Sequence, residues 1–282
     1  MEDLRKVWRV ELDLLKKFDS FCLRHGLKYF ADSGTLLGAV RHSGFIPWDD
    51  DMDFVMLRKD YDKFIKLAKN EFEHPYFIQT GYSDSGYFGG LCHIRNSETT
   101  AILKCNWPHA KYNQGIFIDI FPLDGVIENK LLKKIQDFLK KFLCVVLWNK
   151  YYRKIGKINL LKKMLVFPLT VFPQKMLFGL YEAVCKVGNI FPHSKVCEIS
   201  YFGTSAERKK CAYEKTIFLK FEDTKVPVPE MFHEILFSMY GSDYMTPKRV
   251  SSDHGETFFD VCNSYKKYLS GELSLPENFT DL

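Results

Sequence analysis

The chain has 282 residues, 46% of them apolar and 27% charged, with a net charge of +5. This length and balance belong to a globular protein with one large domain, or a core with an appendage, and exclude a disordered or fibrous chain. A membrane-spanning helix needs roughly 20 apolar residues, whereas the longest uncharged run in the most apolar region, residues 164–174, is interrupted by Pro168 and Pro173.

Residues 4–24 are predicted to form an amphipathic helix. Leu4, Trp8, Leu12, Leu15, Phe18 and Cys22 recur at three- and four-residue steps, and Gly26 stands where a helix stops. A short strand over 27–31 follows, then a helix over 36–42 that Asp32 or Ser33 would cap and Gly44 would break. Residues 45–57 read as a strand carrying Trp48-Asp49-Asp50-Asp51-Met52-Asp53. A helix over 59–72 would bury Tyr61, Phe64, Ile65 and Ala68.

Strands are expected over 76–80, 91–95 and 115–121; the last is apolar except for Asp119, as in a buried central strand. Residues 131–187 read as mostly helical, with interruptions near Gly156 and at Pro168 and Pro173. A late strand over 217–221 and a short helix over 230–240, ended by Gly241, complete the chain.

On a strand, residues two apart share a face. Asp51 and Asp53 would therefore converge, with Asp49 at the same parity. Carboxylates side by side repel unless a cation lies between them. Hard oxygen donors beside a phosphate substrate suit magnesium or manganese. A bare Asp-x-Asp is weak, but this one is flanked by apolar residues on both sides, and Asp119 is a second acid in an apolar run. Gly34-Thr35 at a helix start would offer backbone N–H groups to a phosphate. The order is strand, Gly-Thr turn, helix, Asp-x-Asp strand, then a strand with one Asp. It predicts an α/β (α+β) fold, a nucleotidyltransferase-like mixed sheet flanked by helices with an additional helical region. Residues 1–126 would be the catalytic core, 127–200 a basic, apolar-rich helical region, and 201–282 a segment completing the core.

The run from Ala31 through Gly34-Thr35-Leu36-Leu37-Gly38, Arg41-His42-Ser43-Gly44 and Trp48 to Asp53 closely resembles the LicD family of phosphocholine transferases, related to the fukutin-type proteins. Phe117-Ile118-Asp119-Ile120-Phe121-Pro122-Leu123-Asp124-Gly125 is similar to the same family. So are Val226-Pro227, residues 240–245 and, more loosely, His254. The resemblance implies a CDP-alcohol donor such as CDP-choline, and transfer of its phospho-alcohol group to a hydroxyl of a cell-surface glycan or its lipid-linked precursor, with release of CMP. Asp51, Asp53 and Asp119 would bind Mg²⁺ (or Mn²⁺) and carry the catalysis, Asp119 either completing a second metal site or accepting the acceptor's proton. Gly34, Thr35, Arg41, His42 and Arg95 are the expected substrate-binding residues, Arg41 being nearly as well placed to pair with the aspartates. Nucleotidyl transfer to a small molecule with loss of pyrophosphate, and an inactive glycan-binding scaffold, are the alternative readings.

Charge is uneven. Residues 130–175 hold twelve Lys/Arg against the single acid Asp137, a local charge of +11, leaving −6 for the remainder. The same stretch holds Phe142, Leu143, Val145, Leu147, Trp148, Met164, Leu165 and Phe167, a mixture suited to peripheral contact with an anionic membrane or to a basic lid over a glycan. It has no recognisable nucleic-acid motif, so no nucleic-acid partner is expected. The first residues, Met1-Glu2-Asp3-Leu4-Arg5-Lys6, lack the apolar core of a secretion signal. The eight cysteines make no Cys-x-x-Cys pair. They are expected to be reduced thiols, with no zinc site, in a cytoplasmic protein or one held peripherally on the inner face of the membrane.

Overall fold

The computed structural model describes residues 2–107, 109–152, 165–249 and 255–280. Helix α1 (Glu2–His25) follows the predicted period. Its stripe of Leu14, Leu15, Phe18, Phe21 and Cys22 is buried, each such side chain contributing ~1.5–3 kcal/mol. At its end Gly26 adopts φ +61°, a left-handed conformation open to glycine without steric cost.

Next come β1 (Phe30–Ala31), α2 (Ser33–His42), β2 (Asp53–Leu57), α3 (Arg58–Ala68), β3 (Tyr76–Gln79), β4 (Cys92–Asn96), β5 (Thr100–Leu103) and β6 (Ile116–Gly125). The main sheet is mixed, in the order β1-β2-β6-β4-β3. Strands β2 and β6 run parallel and set Asp53 beside Asp119. Strands β4 and β6 run antiparallel and set His93 on the other side of Asp119. The sheet's register thus gathers polar residues distant in sequence into one row.

The strand expected over 45–57 begins only at Asp53. The apolar residues before it serve a folded loop instead. Phe45 stacks on Trp8, 4.7 Å between centroids, and meets the edge of Phe221. The Phe45 N–H donates to Glu222 Oε1 at 3.1 Å, and the Trp8 Nε1–H donates to the Asp49 carbonyl at 2.9 Å. The aspartate run therefore sits on a pinned loop above the sheet, and Asp49 and Asp51 are not strand residues sharing a face with Asp53.

The helical region comprises α4 (Lys130–Tyr152), a 3₁₀ turn (Phe167–Val171) and α5 (Gln174–Lys186). Pro168 lies in the 3₁₀ turn and Pro173 directly precedes α5; the expected interruption near Gly156 lies outside the described residues. Val146 and Leu147 of α4 share a second core with Leu177, Phe178, Tyr181 and Cys185 of α5.

After α5, strand β7 (Lys195–Cys197) pairs with the end of β6, and helix α6 (Ile199–Phe202) follows. Strand β8 (Arg208–Lys209) then pairs with β7. The hairpin β9 (Thr216–Phe221) with β10 (Thr224–Pro229), and helix α7 (Phe232–Tyr240), return to the main core through Phe221, Val226, Val228, Ile235 and Leu236. Strand β11 (Thr257–Asp260) pairs with β5, before the short helices α8 (Tyr265–Leu269) and α9 (Glu277–Thr280). The result is a mixed α/β fold with a sheet flanked by helices. Among the described residues no helix is long and apolar enough to cross a membrane.

Candidate active site

A cavity of about 1150 Å³ opens over the edge where β2, β4 and β6 meet the acidic loop. Asp49, Asp50, Asp51, Asp53 and Asp119 all line it. Carboxylate oxygens of Asp49, Asp50 and Asp51 lie within 4.8 Å of one another. Burial, and then the charges of Asp51 and Asp119, push the Asp53 carboxyl well above the usual carboxylate range.

The loop sits above a further acid that sequence reasoning missed. Glu11 of α1 is buried, and its Oε2 has no hydrogen-bond partner among the described residues. Burial first, then Asp51, Asp50, Asp49 and Asp119, hold its carboxyl well above the ordinary range. The sequence did carry a signal: Glu11 lies three residues after Trp8 and four before Leu15, on the apolar side of the helix. An orphaned buried carboxylate oxygen below a crowd of aspartates fits a site that a divalent cation completes, and the all-oxygen donor set fits Mg²⁺ or Mn²⁺.

Asp119 is held by His93, whose Nδ1 contacts Asp119 Oδ1. Burial lowers the His93 pKa, against the opposing pull of Asp119. A neutral His93 with its proton on Nδ1 donates to Asp119 and fixes the carboxylate toward the cavity, which both residues line.

The five expected substrate-binding residues divide. Gly34 lines the cavity, but the space beside it is taken: a Cβ there would stand 2.3 Å from Asp49 Oδ2. Gly34 thus lets the Asp49 side chain approach the positive end of α2. Thr35, expected at a donor phosphate, is buried behind the cavity. Its Oγ1 accepts the Asp53 backbone N–H at 2.8 Å, which ties α2 to the start of β2. Arg41 lines the cavity and donates to the carbonyl of Tyr244 at 2.8 Å. His42 does not line it; its Nδ1 lies 3.4 Å from Arg41 Nε, and burial followed by Arg41 lowers its pKa. Arg95 lines the cavity but is buried, donating to Gln79 Oε1 and to the Gly115 carbonyl, each at 2.6 Å, with its guanidinium over Phe117. His254 lies outside the described residues.

Replacing Gly34 by alanine is expected to drive the Asp49 carboxylate off α2 and lower turnover about 10²-fold, the cost of a displacement near 1 Å. The melting temperature should change little, because the clash is with a side chain that can swing away. Steady-state kinetics together with a melting curve check both.

At the start of α2 lies a buried ionic group whose Arg208 also lines the cavity. Arg208 donates to both oxygens of Asp32, at 2.6 and 3.0 Å, and its Nη2 lies 2.7 Å from Glu198 Oε1. Asp32 occupies the cap position of α2 but makes no cap bond with its side chain, since its carboxylate serves Arg208. Ser33 follows at φ +44°, in the left-handed region that non-glycine residues avoid, and its Oγ donates to Asp32 Oδ2 at 3.2 Å.

One guanidinium faces two buried carboxylates, and burial followed by Asp32 pushes the Glu198 pKa up to about 8. A raised acid stabilises the fold in its protonated form. That contribution is complete below the ordinary glutamate value near 4.3 and is lost as pH rises toward about 8. The wild type should therefore melt lower at pH 9 than at pH 6. Glu198→Gln should show a flatter profile, which parallel melting curves across that range test.

The cavity lining also includes the aromatic side chains Trp48, Phe88, Phe117, Phe121, Trp148 and Tyr240, beside basic groups such as Arg41 and Lys248. A cavity lined by both carboxylates and aromatic rings can hold a polyphosphate through a cation and an alkyl-ammonium group through ring faces.

The sequence is also similar to known proteins. The family described as LicD/FKTN/FKRP, nucleotidyltransferase domain, matches residues 26–173. The chain is 30% identical over 258 residues to the lipopolysaccharide cholinephosphotransferase LicD of Haemophilus influenzae, covering 86% of this chain and 91% of that protein. Shorter matches join it to uncharacterized proteins of Rickettsia typhi, 41% identical over 69 residues and covering 24% of this chain and 20% of that protein, and of Rickettsia prowazekii, 39% identical over 72 residues and covering 26% and 25%. With the family match spanning α2, the acidic loop, β2 and β6, the chain belongs to the LicD/FKTN/FKRP nucleotidyltransferase-domain family.

Proposed function

We propose that this protein is a transferase that moves phosphocholine, or a closely similar phospho-alcohol, from a CDP-alcohol to a hydroxyl of a cell-surface glycan or its lipid-linked precursor. The observation that carries the reading is the cluster of Asp49, Asp50, Asp51, Asp53 and Asp119 in a cavity also lined by aromatic rings, in a chain 30% identical to the Haemophilus cholinephosphotransferase with 91% of that protein covered. The acceptor hydroxyl oxygen attacks the phosphorus that bears the alcohol. The bond from that phosphorus to the bridging oxygen breaks, CMP leaves with the electron pair, and Asp119 takes the hydroxyl proton. His93 keeps Asp119 oriented for this. Asp49, Asp50, Asp51 and Asp53 would hold Mg²⁺ or Mn²⁺, which when bound offsets the charge of the diphosphate and of departing CMP.

Trp48, Phe88 and Trp148 supply ring faces for a quaternary ammonium. Arg41 stands on the same wall, where its guanidinium suits a phosphate.

A thermal-shift screen of CDP-choline, CDP-ribitol, CDP-glycerol, CTP and UDP-sugars, each with and without Mg²⁺, tests the donor class. A magnesium-dependent rise with a CDP-alcohol is expected, worth roughly 2.7 kcal/mol at a hundredfold excess over Kd. A rise with CTP and none with any CDP-alcohol would favour nucleotidyl transfer, the chemistry in the family's domain description.

A further inference from the structure

The cavity mouth adjoins a surface that the transfer chemistry does not use. On α4, Leu131, Leu132, Ile135, Phe138 and Leu139 all reach solvent, Leu131 at 68% and Phe138 at 67% exposure. With about 3.6 residues per turn, these five fall on one side of the helix. The opposite side is buried through Gln136, Lys140 and Leu147. Single exposed leucines are ordinary, but five on one helical face are not.

Exposed Lys130, Lys134 and Lys141 form a stripe beside the apolar face, at four- and seven-residue spacing. Trp148 continues that stripe seven residues further on. It is 42% exposed and lines the cavity, so the basic edge of the face leads to the mouth of the site.

What would cover the face follows from its charge. The one acid of α4, Asp137, accepts a hydrogen bond from Thr204 at 2.7 Å on the protein side. A second copy of the chain would bring lysines against lysines. An anionic lipid surface answers both features, since its headgroups meet the lysines and its acyl boundary takes the apolar side chains.

We propose that the exposed face of α4 docks on an anionic bilayer and holds the cavity mouth at the headgroup layer, where a lipid-linked acceptor lies. The docking surface stands on exposure and charge alone; only the acceptor clause rests on the proposed function.

The test is cosedimentation of the full chain with phosphatidylglycerol–phosphatidylcholine vesicles and with phosphatidylcholine vesicles, at low and high salt. Binding to the anionic vesicles is expected, and it should fall with salt. The triple variant Leu131→Ser, Ile135→Ser, Phe138→Ser should bind at least about tenfold more weakly, with an unchanged melting temperature and unchanged transfer to a water-soluble acceptor. Three outcomes would overturn the proposal: no sedimentation with anionic vesicles at low salt, a triple variant that binds like the wild type, or a wild-type dimer that the variant splits. Vesicle binding is read without turnover, so an inactive protein that still binds would remove the transfer reading and leave the docking surface standing.

Discussion

Replacing Asp53 by asparagine is expected to lower transfer by about 10³-fold or more, and at the same time to raise the melting temperature of the metal-free protein. The activity loss follows from position. Asp53 begins β2, faces the cavity and stands beside Asp119 in the parallel register. Removing one preorganised charged group from such a site costs on the order of 10²–10³ in rate, and more where it also holds a cation.

The stability gain follows from crowding. Burial, then Asp51 and Asp119, raise the Asp53 pKa, so the carboxyl helps the fold only when protonated. That help is complete below the ordinary aspartate value and is lost as pH rises through the raised value of the folded protein. Asparagine keeps the shape and removes the charge. A chain of this size gains about 2–4 °C for each kcal/mol recovered. Melting curves of both proteins with and without Mg²⁺ separate the effects: the variant should start higher and gain less from the ion. A variant that melts lower and keeps its activity would remove Asp53 from the site.

Replacing Arg208 by alanine should be the most damaging single change to the fold. The side chain is buried, bonded to both oxygens of Asp32 and placed against Glu198, and its Nη1 donates to Tyr213 Oη at 3.1 Å. Its loss leaves two buried carboxylates without their cation, which costs about 3–5 kcal/mol. Glu198 can relieve part of this by binding a proton, because its pKa already stands near 8. The variant should therefore be least unstable at acid pH. Denaturant titrations at pH 6 and pH 8 check this, and a loss under about 1 kcal/mol would show that the group is not under the load assigned to it. Because Asp32 precedes the first turn of α2, the damage should also reach Gly34 and the Asp49 carboxylate above it.

The chemistry of the site was legible where it is local. The spacing of Trp8, Leu15, Phe18 and Cys22 announced α1, and the lone acid in an apolar run marked Asp119 as a central-strand carboxylate. What could not be read depends on register and on distant partners. His93 meets Asp119 only because β4 and β6 pair antiparallel at that residue. Arg208 reaches Asp32 across 176 positions of sequence. The stretch before Asp53 looked like strand because it is apolar, yet Phe45 is apolar in order to stack on Trp8, and Glu222 closes the loop from the far end of the chain. Thr35 looked like a phosphate ligand beside Gly34, but its hydroxyl is spent on the Asp53 backbone.

Phospho-alcohol transfer is tested by product analysis of the purified protein with CDP-choline, Mg²⁺ and a hydroxyl-bearing glycan acceptor. CMP released in step with phosphocholine on the glycan, and absent with Asp53→Asn, is the expected result. Pyrophosphate from CTP, with no CMP from any CDP-alcohol, would contradict it.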